Sequence, residues 1–367
     1  MKVGIYTFHA IDNFGAQLQC FATQEFLSKN GYDVEVVNLF TTTDERRVNY
    51  RNKWNTIKNV LLNIYTRISP FIRRKIKNNY RFHHLLHLSQ RYFTSIELRN
   101  NPPQYDVHLV GSDQVWNVEK GLKSDNPYFL DYLPSGSNKM SYASSFGNPT
   151  IKEESIPKVS ECLNDFKYLS TREEGGAELI EKITGRRAQI VLDPTFLLSS
   201  DDWSSYEESK PLINGPYVLC YGFIKSDEWA RIIKDIRETL DIPIVAISIS
   251  VVIPYKVDRF YQAAGPSEFL NLIRHASLVL TGSFHGMAFS LNFKKDFIVV
   301  KQGSRMSRMQ SLLQRFNLQD RIIENMEQSH ELITKSLHVN YTEVTPIIEK
   351  EIKKSSDWLL TSLEKIK

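Results

Sequence analysis

Short apolar runs alternate with stretches of helical spacing from the start of the chain. Residues 2–8 and 34–39 predict buried strands, and the apolar positions between them, ended by Asn30-Gly31, predict a helix. A strand, a helix and a second strand within about 40 residues form a βαβ unit, which begins a doubly wound sheet. The unit has no G-x-G-x-x-G motif, so a dinucleotide site is not indicated.

Polar turns follow the next predicted strands, which lie within 106–110, 139–147, 167–170 and 189–192. The turns include Gly111-Ser112-Asp113, Arg172-Glu173 and Asp193-Pro194-Thr195. Doubly wound sheets bind ligands at the carboxyl edge of their strands, where these turns would meet. Turn capping explains any one of them, but together they predict a functional rim.

A polar, turn-rich stretch after Leu198 predicts a domain boundary. Beyond it, strands at 217–221, 243–248, 278–281 and 297–301 alternate with helices at 227–240, 267–275 and 304–316. We therefore predict an α/β chain with domains at 1–200 and 201–340. A last helix, beginning at Thr345-Pro346 within 341–367, is expected to pack back on the body.

The stretch 278–293, LVLTGSFHGMAFSLNF, combines a strand, a glycine-containing turn and the start of a helix. The free N–H groups and positive dipole end of such a helix form an anion cradle. Gly282 and Gly286 would let the backbone approach a ligand, and His285 adds a titratable group. A histidine with no functional role in an ordinary turn is the alternative.

The composition, 41% hydrophobic and 24% charged, is that of a folded globular protein, and 367 residues suit two domains. No apolar run is long enough to span a bilayer and no signal peptide is recognised, so a cytoplasmic location is expected. Cys20, Cys162 and Cys220 lack metal-site spacing and are expected to be buried small residues.

Positive charge is concentrated between residues 46 and 96, where 12 Lys and Arg occur without any Asp or Glu. Helical spacing over about 54–68 and 71–88 makes this a basic helical insertion, with Arg73, Arg74, Lys75 and Lys77 as surface cations. Such helices suit an anionic membrane or another polyanion, and a solvated face is an equal alternative. We expect no nucleic-acid partner.

Several motifs, taken in order, resemble the polysaccharide pyruvyl transferase family. They occupy 13–19, 111–117, 141–147, 172–173, 191–195, 266–270 and 281–286. The resemblance implies two Rossmann-like domains facing a cleft, as in the B-type glycosyltransferase fold. It also implies transfer of pyruvate from phosphoenolpyruvate to a sugar diol. We expect the acceptor on the N-terminal domain, where residues 46–104 match the family least, and the donor at the anion cradle of the C-terminal one.

The resemblance also suggests residue roles. His285 would bind phosphate or move a proton, Arg172 would hold the carboxylate or phosphate, and Asp113 is the candidate acid or base. Arg305 is a further candidate anion ligand, although a lysine is the residue expected near that position. Asp193 could instead be structural. The remaining substrate-binding candidates are Asn13, Ser112, Ser283 and Gly286.

Phosphoenolpyruvate would be a co-substrate, and no metal or other cofactor is required because arginines can neutralise it. The acceptor would be a sugar of a surface polysaccharide or cell-wall precursor, including a lipid-linked oligosaccharide. A nucleotide-sugar glycosyltransferase of the same fold and a non-catalytic glycan- or polyanion-binding protein are the alternatives. Arg172 could also serve only as a salt-bridge partner of Glu173 or Glu174.

Overall fold

Parallel strands form the framework of the computed structural model. It describes residues 1–41, 44–45, 57–118, 126–148, 150–222, 227–248, 253, 255–301 and 306–366. The strands of the first half are β1 Lys2–Tyr6, β2 Asp33–Val36, β3 Val107–Val110, β4 Lys139–Ser141, β5 Ser170–Thr171 and β6 Gln189–Ile190. Its helices are α1 Phe14–Lys29, α2 Ile57–Ile68, α3 Pro70–His83, α4 Ser95–Asn100, α5 Ile156–Asn164, α6 Glu174–Thr184 and α7 Ser200–Ser204.

The second half repeats the alternation of strand and helix. Its strands are β7 Val218–Tyr221, β8 Ile244–Ile247, β9 Arg259–Tyr261, β10 Leu278–Thr281, β11 Asp296–Val300 and β12 Ile322–Ile323. Its helices are α8 Asp227–Leu240, α9 Pro266–His275, α10 Phe284–Asn292, α11 Ser307–Arg315, α12 Met326–Lys335 and α13 Tyr341–Glu364.

The first sheet has the order β2-β1-β3-β4, and all its strands are parallel. Bridges from Met140 to Tyr168 and from Ser144 to Thr171 connect it to the β5-β6 pair. The second sheet has the order β12-β11-β10-β7-β8-β9, again parallel throughout. This is the doubly wound order of a Rossmann-like domain, with its switch point between β7 and β10.

Central strands such as VHLV in β3 and LVLT in β10 are buried along their whole length. Helices cover both faces of a doubly wound sheet, so its strands are continuous apolar runs instead of alternating ones. The interpretation of these segments as buried parallel strands is confirmed.

Helix α1 is buried on nearly all sides because elements of both halves, including β2, α3 and α9, pack against it. Its Phe14 ring is 6.0 Å from that of Tyr221 and 5.4 Å from that of Phe269, both in the second half. The buried residues of α1 include glutamines and a threonine as well as apolar residues. The apolar positions visible in the sequence therefore account for only part of the buried surface of this helix. One apolar cluster therefore runs through both halves of the chain.

Helix α13 returns to the first half. The Leu192 backbone N–H donates to Ser355 Oγ at 2.9 Å, and the Trp358 ring lies 6.4 Å from that of Tyr142. The helix begins at Tyr341, earlier than expected, and Pro346 lies inside it. The predicted domain boundaries remain predictions.

Three local expectations change. The segment predicted as a strand over 34–39 leaves the sheet after Val36, and Val36 and Leu39 instead form bridges with Leu88 and Tyr92. Lys75, expected among the surface cations, is only 1% exposed and lies 3.6 Å from Asp12 Oδ2. Helices α2 and α3 occupy the predicted basic region, and residues 54–56 lie outside the described part of the chain.

The three cysteines are buried and free, as expected. In the described ranges, none of the helices combines the length and apolar character needed to cross a membrane.

Candidate active site

The loop after β3 is fastened to helix α1. Thr7 Oγ1 donates to the Ser112 carbonyl oxygen at 2.9 Å, and the Ser112 N–H donates to Gln19 Oε1 at 3.0 Å. Gln19 Nε2 donates in turn to Thr7 Oγ1 at 2.9 Å. Thr7 follows β1, so this triangle fixes the loop at the switch point of the first sheet.

Glycine is needed at the start of this loop. Gly111 has φ +111°, and a Cβ there would lie 2.3 Å from the carbonyl oxygen of Tyr142. Asp113, two residues on, has φ 71°. A non-glycine residue in the left-handed region is uncommon and tends to occur at functional sites, so Asp113 is held by its surroundings in a costly conformation.

Arg172 is buried against three carboxylates. Its Nη1 donates to Asp193 Oδ2 at 2.7 Å, while Nη2 lies 3.7 Å from Asp113 Oδ1 and Nε lies 3.8 Å from Glu173 Oε2. The guanidinium carbon is 4.2 Å from the centroid of the Phe284 ring, a cation–π distance. Nε and Nη2 have no hydrogen-bond partner in the protein, so two donors of a buried fork remain available to a ligand.

Asp193 uses its two oxygens for different purposes. Oδ1 accepts from the Thr195 N–H at 3.1 Å and from the Thr195 hydroxyl at 2.8 Å, capping the turn that follows. Oδ2 accepts from Arg172 and, at 3.2 Å, from the Ser112 hydroxyl. Asp193 therefore has the structural role that the sequence suggested, and it also contacts the other residues of the site directly.

His285 stands in the first turn of α10 and faces the first half of the chain. Its Nε2 lies 3.7 Å from Asp193 Oδ2 and has no hydrogen-bond partner in the protein. A Cβ on Gly15, in the first turn of α1, would lie 2.0 Å from His285 Nδ1. The imidazole is therefore packed on a backbone surface that only glycine leaves open.

The pKa values of the two buried carboxyls move in opposite directions. Burial would raise the pKa of Asp193, but the nearby His285 imidazole and Arg172 guanidinium hold it well below its usual range. Burial raises the pKa of Glu173, although Arg172, the Ser145 hydroxyl and Arg308 oppose the shift. Asp193 is thus a fixed negative charge, whereas burial makes protonation of Glu173 easier than in free glutamate, as a proton donor requires.

Replacing Gly15 with alanine tests the His285 contact. The added methyl group would displace the imidazole, so we expect kcat/KM to fall about tenfold or more, since small misplacements of catalytic groups are costly. Gly31→Ala is the control for glycine removal, because its Cβ would meet nothing within 4 Å, although its φ of +81° costs some stability. A Gly15→Ala variant with unchanged kinetics and normal thermal stability would contradict the placement of His285.

The predicted site residues do not all meet. Ser112, Arg172 and His285 gather around Asp193, and Asp113 faces Arg172. Asn13 caps α1, accepting from the Ala16 N–H at 3.3 Å. Ser283 precedes α10 without a side-chain cap, and its N–H donates to Thr281 Oγ1 at 3.1 Å. Gly286 is needed for packing, since a Cβ there would lie 2.3 Å from Thr281 Oγ1. Arg305 lies outside the described residues.

Three residues without a predicted site role belong to this arrangement. The sequence predicts Glu173 as part of the motif at 172–173 and as a salt-bridge partner of Arg172, and Gln19 as part of the motif at 13–19. The third, Arg308, is buried and faces the Gln114 amide, whose oxygen in the hydrogen-bonding orientation lies 2.7 Å from Nη2. Arg308 lies three positions after Arg305 in the sequence, so the prediction of an anion ligand at Arg305 was a usable signal for a nearby arginine.

Among the described residues, no group of three His, Cys, Asp or Glu side chains could hold a metal ion. Within the same described ranges, the cationic groups of the site are Arg172, Arg308 and, when protonated, His285.

Two solved structures of similar fold contain bound nucleotide sugars. The UDP-GlcNAc 2-epimerase of Neisseria meningitidis bound to UDP-GlcNAc has 13% identity and a TM-score of 0.52, with 100% of each chain covered. Arabidopsis thaliana UGT89C1 complexed with UDP-L-rhamnose has 12% identity and a TM-score of 0.52, covering 99% of this chain and 97% of that one. At these identities the likeness concerns the fold alone, and it confirms two Rossmann-like domains in the B-type glycosyltransferase arrangement.

A comparison with curated proteins found no match. The profile of the family described as polysaccharide pyruvyl transferase matches residues 13–304, which is most of the chain. Of the described site residues, only Thr7 and Arg308 fall outside the match. The chain belongs to the polysaccharide pyruvyl transferase family.

Proposed function

We propose that the protein transfers the pyruvyl group of phosphoenolpyruvate to two hydroxyls of one sugar, forming a ketal and releasing phosphate. The acceptor is a sugar of a surface polysaccharide or its cytoplasmic precursor. The observation that carries the proposal is the set of buried nitrogens that make no hydrogen bond within the protein, Arg172 Nε, Arg172 Nη2 and His285 Nε2, grouped beside Asp193.

Phosphoenolpyruvate suits these donors because it carries a carboxylate and a phosphate. A buried arginine fork binds either group through paired hydrogen bonds, and the N-terminus of α10 adds free N–H groups and a positive dipole end. Three carboxylates also face Arg172, so they must be neutralised before an anion binds. Asp193 is paired with Arg172, burial raises the pKa of Glu173, and Arg308 adds positive charge.

Bonds formed and broken, and protons gained and lost, are equal in the proposed reaction. Proton addition to the methylene carbon makes the methyl group, and the oxygen of one sugar hydroxyl bonds to the neighbouring carbon as it loses its proton. The bond between that carbon and the phosphate oxygen then breaks, and the second hydroxyl adds in the same way. Of the two hydroxyl protons, one matches the proton gained by carbon and one leaves on hydrogen phosphate.

These steps need a proton donor, proton acceptors and stabilisation of charge. We assign Arg172 to the substrate anion, and Asp113 and His285 to proton transfer. Glu173 is the added candidate for proton donation to carbon, because burial raises its pKa and its Oε2 has no hydrogen-bond partner in the protein.

The test measures phosphate release from phosphoenolpyruvate across a panel of sugar and lipid-linked acceptors, with mass spectrometry of each acceptor. We expect phosphate release that depends on the acceptor and a product carrying one pyruvate ketal. A raised melting temperature with phosphoenolpyruvate reports binding independently of the acceptor, since a ligand specific for the folded state stabilises it. Stabilisation by nucleotide sugars only, with sugar transfer, would replace the proposal with the glycosyltransferase alternative.

A matched pair of histidine variants makes the assay specific. His285→Asn is expected to lower turnover by about a hundredfold, the usual contribution of general acid–base catalysis. His330 also faces an aspartate, with Nδ1 2.9 Å from Asp235 Oδ1, but it is exposed on α12. His330→Asn should keep full activity, so equal losses in both variants would contradict the role of His285.

A further inference from the structure

Large apolar side chains are exposed in one part of the molecule. Among the described residues, the large apolar side chains with high exposure all lie in the range 64–96. They are Ile64 (47%), Tyr65 (50%), Ile68 (64%), Leu85 (39%), Phe93 (44%) and Ile96 (63%). Scattered apolar residues on a surface need no explanation, but neighbouring ones mark an interaction site. Ile64, Tyr65 and Ile68 are neighbours at the end of α2, with Ile64 and Ile68 one turn apart.

The same part of the chain carries the excess positive charge. Of the basic side chains between 46 and 96, Arg67, Arg73, Arg74 and Lys77 are exposed around the turn between α2 and α3. The Arg73 Nε donates to the Arg67 carbonyl oxygen at 2.7 Å, which holds the two helices' basic residues together. We define the corner patch as Ile64, Tyr65, Arg67, Ile68, Arg73, Arg74 and Lys77.

The other basic residues of the segment with identified partners serve the fold. Arg81 pairs with Glu208, Arg91 Nη2 lies 2.7 Å from Glu45 Oε2, and buried Lys75 faces Asp12. On α3, Ile72 and Lys75 point inward, while Arg73, Arg74 and Lys77 point to solvent. The corner patch is therefore the outer face of helices whose inner face is already satisfied.

We propose that the corner patch docks the protein on an anionic lipid bilayer. Isoleucine and tyrosine side chains enter the boundary between head groups and acyl chains, and arginine and lysine pair with lipid phosphates. Exposed apolar side chains beside exposed cations favour an anionic bilayer over other partners. A soluble polyanion would match the cations but not exposed isoleucines, and an ordinary protein partner would not require a segment free of acidic residues.

The position of the corner patch would also make docking useful to the proposed reaction, although the docking proposal does not depend on that reaction. Helix α3 packs on α1, and its Lys75 Nζ lies 3.6 Å from Asp12 Oδ2, next to the residue that caps α1. The first turn of α1 contains Gly15, which contacts His285. Docking through α2 and α3 would thus bring the site close to the bilayer, where a lipid-linked acceptor would be held.

Vesicle sedimentation tests the proposal without any enzymatic readout. The full-length protein is mixed with vesicles of phosphatidylcholine alone or of phosphatidylcholine with phosphatidylglycerol. We expect binding to the mixed vesicles that weakens as salt is added, because salt screens surface charge. Equal binding to both compositions, or none to the mixed vesicles, would overturn the proposal.

Two variants separate the contribution of charge to vesicle binding from the contribution of apolar contact. Neutralising Arg67, Arg73, Arg74 and Lys77 to glutamine should weaken binding by at least about tenfold, since each basic residue near an anionic surface gives roughly fivefold. Replacing Ile64, Tyr65 and Ile68 with serine should weaken it comparably. The control neutralises four exposed lysines elsewhere, Lys152, Lys234, Lys335 and Lys353, whose side chains are 55%, 74%, 71% and 76% exposed.

The control variant should bind vesicles like the wild type although its net charge changes equally. Equal weakening in the control would show that overall charge, not the corner patch, causes binding, and would overturn the proposal. Light scattering of the serine variant provides the other check. If the wild type forms a dimer that the variant loses, and vesicle binding is unchanged, the patch joins two copies of the chain and the membrane proposal is wrong.

Discussion

Replacing Arg172 with lysine is expected to lower kcat/KM for phosphoenolpyruvate by about a hundredfold or more. Lysine keeps the positive charge beside Asp193 but removes the planar fork whose Nε and Nη2 are free to bind an anion. The measurement is steady-state phosphate release over a range of phosphoenolpyruvate concentrations, read alongside thermal unfolding. A variant that is folded but has lost most of its activity supports the assignment.

Arg274→Lys is the matched control for this substitution. Arg274 also has an aromatic ring beside it, with its guanidinium carbon 4.1 Å from the Phe293 centroid, and its Nε lies 2.5 Å from Glu207 Oε1. It is outside the site, so its replacement should change stability more than turnover. Unimpaired phosphoenolpyruvate kinetics in Arg172→Lys would remove this arginine from the substrate site and leave it a structural role.

Arg172→Lys is more informative than Arg172→Ala. The guanidinium is 3% exposed and faces Asp113, Glu173 and Asp193, so alanine would leave buried negative charge without compensation. Loss of activity in the alanine variant would therefore be mixed with loss of folded protein.

Replacing Asp193 with asparagine is expected to lower the free energy of unfolding by about 3 kcal/mol at neutral pH. Breaking a buried ion pair from one side typically costs about 3–5 kcal/mol, because the remaining charge is left unpaired. Asp193 is 1% exposed and accepts directly from Arg172, so it belongs to that group. Urea denaturation of the two proteins gives the difference.

The difference in the free energy of unfolding between the wild type and Asp193→Asn should depend on pH in one direction. The folded state lowers the pKa of Asp193, so its charge stabilises the protein fully above the ordinary aspartate pKa of about 3.9. That stabilisation is lost as pH falls from there through the lower pKa of the folded state. The gap between wild type and Asp193→Asn should thus be constant near neutrality and shrink in acid.

Asp258→Asn is the control for removing a paired aspartate. Asp258 Oδ2 lies 2.9 Å from Arg237 Nη1, but its side chain is 40% exposed, and exposed pairs contribute at most about 1 kcal/mol. If the two substitutions cost the same, or if the Asp193→Asn gap grows in acid, the Asp193–Arg172 pair is not the stabilising contact described above.

The sequence predicts those parts of the fold that depend on local pattern. Buried strands such as β3 and β10 are continuous apolar runs, and the polar turn after each one is visible directly. The strands β9 and β12 were missed because they lie at the two edges of the second sheet, where position in the sheet defines a strand more than its composition does. Helix α1 was predicted, but its burial on nearly all sides depends on a second domain that local spacing does not encode.

The site shows the same division. Arg172, Asp113 and His285 stand out because they follow strands, and the fold brings the ends of parallel strands together. The proton-donor role proposed for Glu173 depends on burial beside Ser145 and Arg172, which is a tertiary property. The contact between Gly15 and His285 joins residues far apart in sequence, so no local pattern could have revealed it.

The apolar core shared by the two halves bears on how the protein loses its structure. Phe14 of α1 packs against Tyr221 and Phe269, and α13 returns to contact Leu192. Separating the halves would expose this surface to water, so neither half gains a complete core of its own. The chain is therefore expected to unfold in one cooperative transition, and fragments divided near Leu198 should regain the site only when mixed.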